Sequence, residues 1–228
     1  MISVIMLSNL MSYEGSRKDP ESKFIRAVDS YLNQKTTYPN ELIIVSDGCD
    51  ITNQLYQQHF SEIERVKLIK MPKSEEGVFP GTYRQVGIDS AQYEIISYLD
   101  SDDILLPNRI NQCVNLLRAS GKKMILDHYY IFPDIQNVNS PYLQTTKIIS
   151  KFTSHGINFR RVKSMWKGST AQLVHYKDIK SKWTDAKRGE DANFINSICG
   201  EFMYNKNQLM LPIDGYVVCH HPTFGFDV

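Results

Sequence analysis

The chain has 228 residues, 42% of them apolar, with 26 Lys and Arg balanced by 25 Asp and Glu. That length suits one large α/β domain or two closely fused halves, with enough apolar material for a sizeable core. The four cysteines form no CxxC pair, which excludes a zinc ribbon or disulfide framework and points to reduced thiols in a cytoplasmic protein. No apolar run is long enough to span a bilayer, and the first residues lack the basic lead of a signal peptide, so only peripheral membrane contact stays open.

Ile2 to Leu7 is an almost unbroken apolar run, the pattern of a strand buried on both faces. The polar stretch from Ser8 to Ser22 reads as a long loop. Phe24, Ile25, Val28 and Leu32 then recur at helical spacing. A second buried strand, Glu41 to Val45, stops at Ser46-Asp47-Gly48, which completes a β-α-β unit and predicts a parallel sheet.

Further along, a helix is expected over 51–60, a strand over 66–69, a helix over 82–91 and a strand over 94–99. A helix over 107–119 and a strand over 124–131 follow. Residues 133–170 read as loops with short elements. A strand over 171–175, a helix over 191–198 and a strand over 216–219 complete the pattern.

Two acidic motifs fall at strand ends, where open parallel sheets bind ligands. Asp47 follows the second strand, and Asp100, Asp102 and Asp103 follow the fourth. Three carboxylates within four residues repel one another unless a cation neutralises them. Such oxygen donors suit Mg²⁺ or Mn²⁺ bridging carboxylates to substrate phosphates. Capping of the next helix accounts for one of them, not for all three.

Charge is unevenly spread. Residues 147–188 carry 11 basic and 2 acidic groups, and they interleave Lys147, Lys151, Arg160, Arg161, Lys163 and Lys167 with Phe152, Phe159 and Trp166. A basic, aromatic segment of this kind fits an anionic partner, and equally a merely solvated face.

The series Ile2–Leu7, Tyr31-Leu32-Asn33-Gln34, Glu41 to Asp50 and Tyr98-Leu99-Asp100-Ser101-Asp102-Asp103 resembles the family 2 glycosyltransferases of the GT-A fold. The resemblance covers nearly the whole chain, from Ile2 to His221. It implies a Rossmann-like, mostly parallel central sheet with flanking helices and an irregular acceptor-side C-terminal half. Residues 1–103 would form the nucleotide-sugar-binding half, and 104–228 the half carrying the acceptor site and catalytic base.

The resemblance also assigns roles. Asp47, with Ser46 in place of the family's first aspartate, would contact the base and favour uridine; Ser8 and Arg84 would add nucleotide contacts. Asp100-Ser101-Asp102 matches the DxD motif: Asp102 would ligate Mn²⁺ or Mg²⁺, and Asp100 would bind the ribose or the ion's water shell. In Gly189-Glu190-Asp191, Asp191 would be the base that takes the acceptor's proton and Glu190 would orient the acceptor. His221, in preference to His220, would complete the metal shell or touch the diphosphate. Apart from the resemblance, the basic aromatic segment itself offers Trp166, Arg160 and Arg161 as acceptor contacts.

The implied reaction is transfer of a sugar from a nucleoside diphosphate sugar, a UDP-sugar by preference, to an acceptor hydroxyl with inversion. A glycan or glycolipid of surface polysaccharide synthesis comes first as acceptor. The basic 147–188 segment also admits a phage-type transferase that modifies DNA. A nucleotidyltransferase is a further alternative, against which the lack of a Gly-rich loop after the first strand counts.

Overall fold

The computed structural model describes residues 1–11, 19–73, 79–127, 130–133, 160–161, 173–186, 189–203, 208–211 and 215–220. Their elements run β1 (Ile2–Ser8), α1 (Pro20–Leu32), β2 (Asn40–Asp47), α2 (Asp50–His59), β3 (Val66–Met71), α3 (Pro80–Ser90), β4 (Ile95–Tyr98) and β5 (Ile104–Leu105). They continue with α4 (Arg109–Ser120), β6 (Met124–Asp127), β7 (Tyr130–Pro133), β8 (Arg160–Arg161), β9 (Leu173–Tyr176), α5 (Glu190–Met203), β10 (Gln208–Leu211) and β11 (Tyr216–His220).

Seven strands form the main sheet in the order β10-β6-β9-β4-β1-β2-β3. β1, β2, β3 and β4 are mutually parallel, and β10 is parallel to β6. β9 alone runs against its neighbours β4 and β6. This is the mostly parallel α/β architecture expected from the sequence.

The continuous apolar runs follow from burial on both faces. Val4, Met6, Leu42 and Ile44 pack with Phe24, Val28 and Tyr31 of α1, Leu55 of α2 and Val114 and Leu117 of α4. Their chain neighbours Ile5, Ile43 and Val45 point the other way, onto Tyr83 and Ile88 of α3 and Phe194 and Ile198 of α5. Side-chain alternation along each strand thus feeds two cores with one sheet between them.

A second sheet, β5-β11-β7-β8, sits beyond β4 in the chain. The single strand expected over 124–131 is in fact two: β6 joins the main sheet, and β7 pairs with β11 and β8 in the second. Two short strands, β5 and β10, have no counterpart in the sequence reading.

α1 starts at Pro20, so the polar stretch taken as loop through Ser22 is shorter than expected. Proline suits the first helical turn, where its missing N–H has no partner to lose. The rest of that stretch, residues 12–18, and most of residues 133–170 lie outside the described residues. No described helix is long and apolar enough to cross a membrane. Cys49 and Cys113 are buried and form no disulfide among the described residues.

Candidate active site

The carboxyl ends of β1 and β4 open on a cleft of about 430 Å³. Leu7, Asn9 and Met11 line it from the β1 side, Pro20 and Lys23 from α1, and Arg84 and Glu190 from α3 and α5. Asp100, Ser101 and Asp102 complete its wall.

The acidic loop is braced from behind. The Leu99 N–H donates to the Ile5 carbonyl (3.0 Å), and the Asp103 N–H closes a turn onto the Asp100 carbonyl (3.0 Å). Arg26 of α1 donates to the Asp102 carbonyl. The Tyr216 hydroxyl accepts the Asp100 N–H (3.0 Å) and donates to Asp103 Oδ2 (2.9 Å). Burial first, then Asp103 and Asp100, push the Tyr216 phenol well above its ordinary value, so it stays a neutral donor. Asp103 is therefore tied to the second sheet. It does not cap α4, whose N-cap position is Asn108.

Asp102 is 4% exposed, whereas the Asp100 side chain is 32% exposed and reaches further into the cleft. Arg84 meets it there. Its guanidinium lies 3.3 Å from Asp100, 3.2 Å from Glu190 and 3.0 Å from Asp191. Burial alone would weaken the charge on Arg84, but Asp191, then Asp100 and Glu190, outweigh it and hold the group above its ordinary value. The cation is thus permanent, and it draws together carboxylates from β4 and α5 that would otherwise repel.

Asp47, at the end of β2, is 4% exposed and sits behind Asn9 rather than on the cleft wall itself. The Asn9 amide donates to its Oδ2 (3.0 Å), and the Tyr83 hydroxyl is hydrogen-bonded to the same carboxylate. Burial and then Asp47 push the Tyr83 phenol up to about 12. Gly48 turns the chain with φ +56°, and a β-carbon there would come within 2.5 Å of the Lys73 backbone. Glycine is the residue that satisfies both demands. Ser8 is fully buried and its hydroxyl is shared with Thr52 (2.9 Å), so Asn9 rather than Ser8 faces the cleft.

Of the residues singled out by sequence, Arg84, Asp100, Asp102, Glu190 and Asp191 converge here. Arg160 and Arg161 form β8 at the edge of the second sheet, with their side chains outside the description. Trp166, His221 and most of the basic 147–188 segment lie outside the described residues. Asn9, Lys23, Trp183 and Tyr216 were not singled out. Each gains its place through tertiary contact, with no motif around it to mark it.

Asp100 presents a hard oxygen donor on the cleft wall, and the Asp102 carboxylate lies buried close behind it; carboxylates of this kind fit Mg²⁺ or Mn²⁺. Among the described residues, no three His, Cys, Asp or Glu groups converge on one ion position.

Comparison with known proteins decides the family. Residues 18–179 match the family described as Glycosyl transferase family 2. The chain belongs to that family. An uncharacterized glycosyltransferase of Haemophilus influenzae is 26% identical over 162 residues, 67% of this chain and 63% of that protein. The succinoglycan biosynthesis protein ExoO of Rhizobium meliloti is 28% identical over 104 residues, 46% of this chain and 28% of its own length. The chain thus spans less than two thirds of the relatives it matches. Among solved structures, S. aureus TarS residues 1–349 in complex with UDP-GlcNAc superimpose with a TM-score of 0.65 at 15% identity, covering 99% of this chain and 61% of that one. The family 2 chain described here therefore shares the GT-A-type fold of TarS.

Proposed function

We propose that this chain transfers a sugar from a UDP-sugar to an acceptor hydroxyl, with inversion at the anomeric carbon. The carrying observation is that one guanidinium, Arg84, touches Asp100 of the DxD motif and Asp191 of the Glu-Asp motif together. The two motifs thus face a common space, as a single displacement requires. That the TarS fold has been captured with UDP and with UDP-GlcNAc supports the choice of donor.

In this reading Asp47, oriented by Asn9 and Tyr83, accepts the N3–H of uracil. The diphosphate lies toward Asp100 and Asp102, with Lys23 and Arg84 lining the same cleft as protein-borne positive charge. Asp102 and Asp100 would hold a divalent cation, which when bound offsets charge on the departing diphosphate. Asp191, 28% exposed at the start of α5, takes the proton of the acceptor hydroxyl as that oxygen attacks. Glu190 shares Arg84 and orients the acceptor. The relative named for succinoglycan biosynthesis supports a polysaccharide or glycolipid acceptor and thus a cytoplasmic site of synthesis.

Release of UDP from a panel of UDP-sugars with Mn²⁺ tests the reading. One sugar is expected to be turned over, and Asp102→Asn and Asp191→Asn are each expected to lower the rate by at least about 10²-fold. Full turnover in both variants would sink the assignment.

A further inference from the structure

After β9 the chain reverses and climbs α3 from its C-terminal end. The Lys177 ammonium donates to the Asp89 and Ala91 carbonyls (3.2 and 2.8 Å). The Trp183 N–H donates to Gln85 Oε1 (3.1 Å), next to Arg84 in the chain. At Gly81 a β-carbon would run into the Thr184 carbonyl, so the docking needs glycine there. This strap delivers the chain to Glu190 and Asp191.

Trp183 is 6% exposed, and its indole forms the plate on which Arg84 rests, with the guanidinium carbon 5.0 Å from the ring centre. Phe194 of α5 stacks on the indole (4.1 Å, 18° between planes), and Tyr98 of β4 meets it edge-on (5.7 Å, 72°). A hydrogen-bond chain pins the plate. Trp183 Nε1–H donates to the Tyr98 hydroxyl (3.3 Å), which faces His175 Nε2 (2.9 Å). His175 Nδ1–H donates to the Tyr176 carbonyl (2.7 Å), so its Nε2 accepts from Tyr98. The indole is thereby fixed to β4, β9 and α5, the elements around both ends of the Arg84 network.

We propose that Trp183 is a positioning residue for sugar transfer, its indole face holding the Arg84 guanidinium in line with both Asp100 and Asp191. A flexible four-bond side chain needs such a surface to present one geometry. Indole is the strongest neutral face for a guanidinium. The inference rests on the glycosyltransferase reading above.

A double-mutant cycle tests it, using the UDP-sugar that the wild-type chain turns over and Mn²⁺. Trp183→Leu is expected to lower kcat roughly tenfold with KM for the donor within about twofold, and Trp183→Phe, which keeps a ring face, to lower it only about threefold. In an Arg84→Lys background both changes are expected to cost less than about twofold, because the side chain they position is gone. Equal losses in both backgrounds, or a Trp183→Leu enzyme with wild-type kcat, would overturn the proposal. If Trp183→Leu does not fold, the Trp183→Phe arm of the cycle decides alone. A wild-type chain that releases no UDP from any UDP-sugar overturns the functional reading and this role with it, whereas an active wild type with additive variants overturns only the role of Trp183.

Discussion

Arg84 Nη1 lies 3.0 Å from the Asp191 carboxylate, across 107 positions of chain, and its other nitrogen reaches Asp100 at 3.3 Å. The side chain is 9% exposed and has three acidic partners. Arg84→Met keeps the reach and removes the charge. Turnover is expected to fall about 10²- to 10³-fold, the usual loss when one oriented donor leaves an active site. The melting temperature is also expected to fall, by the equivalent of roughly 1–3 kcal/mol: three carboxylates lose their shared counter-charge, and water reaching the partly exposed ones limits the loss. Kinetics and thermal melts on the same preparation measure both; unchanged turnover would remove Arg84 from the site.

His175 is fully buried between β4 and β6, and burial lowers its pKa from 6.5 to about 4. The folded chain therefore binds fewer protons here than the unfolded chain. The stabilisation is complete above the unfolded value near 6.5 and drains away as pH falls toward 4. The loss amounts to roughly 3 kcal/mol. Thermal melts from pH 8 to pH 4.5 should show that slope in the wild type and a shallower one in His175→Phe, whatever the variant's stability at pH 8. Equal slopes would acquit His175.

Gly48→Ala should destabilise the protein by more than about 1–2 kcal/mol, the cost of a left-handed alanine, because the added carbon also meets the Lys73 backbone at 2.5 Å. The strain acts one residue from Asp47. Calorimetry with UDP and Mn²⁺ should show weakened binding in this variant. Wild-type affinity together with a wild-type melting temperature would contradict the close approach.

Glu41 offers a control far from the cleft. It is 2% exposed at the opposite end of the sheet, where it accepts from Ser3 Oγ (2.6 Å), Lys67 Nζ (2.7 Å) and the Gln92 N–H (2.7 Å). Burial alone would raise its pKa, but these donors, Lys67 foremost, hold it below the ordinary carboxylate range. Glu41→Gln should cost roughly 1–3 kcal/mol near neutral pH, and the difference should narrow as acid protonates the wild-type carboxyl. Its kinetic constants should match the wild type. A kinetic defect would mean that the two ends of the sheet are coupled.

The two-sided strands were legible because burial on both faces leaves an unbroken apolar run, as in Ile2–Leu7 and Leu42–Val45. The direction of β9 was not, since Leu173–Tyr176 reads the same whether parallel or antiparallel. The switch of sheets between β6 and β7 was hidden by the apolar residues on both sides of it. The start of α1 was masked by Glu21, Ser22 and Lys23, which suit a first helical turn and a loop alike. In the cleft, the acidic motifs stood out because their carboxylates cluster in the chain itself. Trp183 and Tyr216 did not, because each acquires its neighbours only through folding: Arg84 is 99 positions from Trp183, and Asp103 is 113 from Tyr216.

β9 also sets the order in which the sheet can be completed. It lies between β4 and β6, yet it emerges from synthesis after both, following Asp127 by more than forty residues. Until Leu173–Tyr176 is available, β4 and β6 each present an open edge of unpaired N–H and C=O groups, the kind of edge that recruits other chains. A nascent or truncated chain ending before residue 173 would lack an interior strand of the sheet, and long-range closure of this sort is slow. The protein is thus most exposed to aggregation late in its own synthesis, when most of the sheet is built and its middle is still missing.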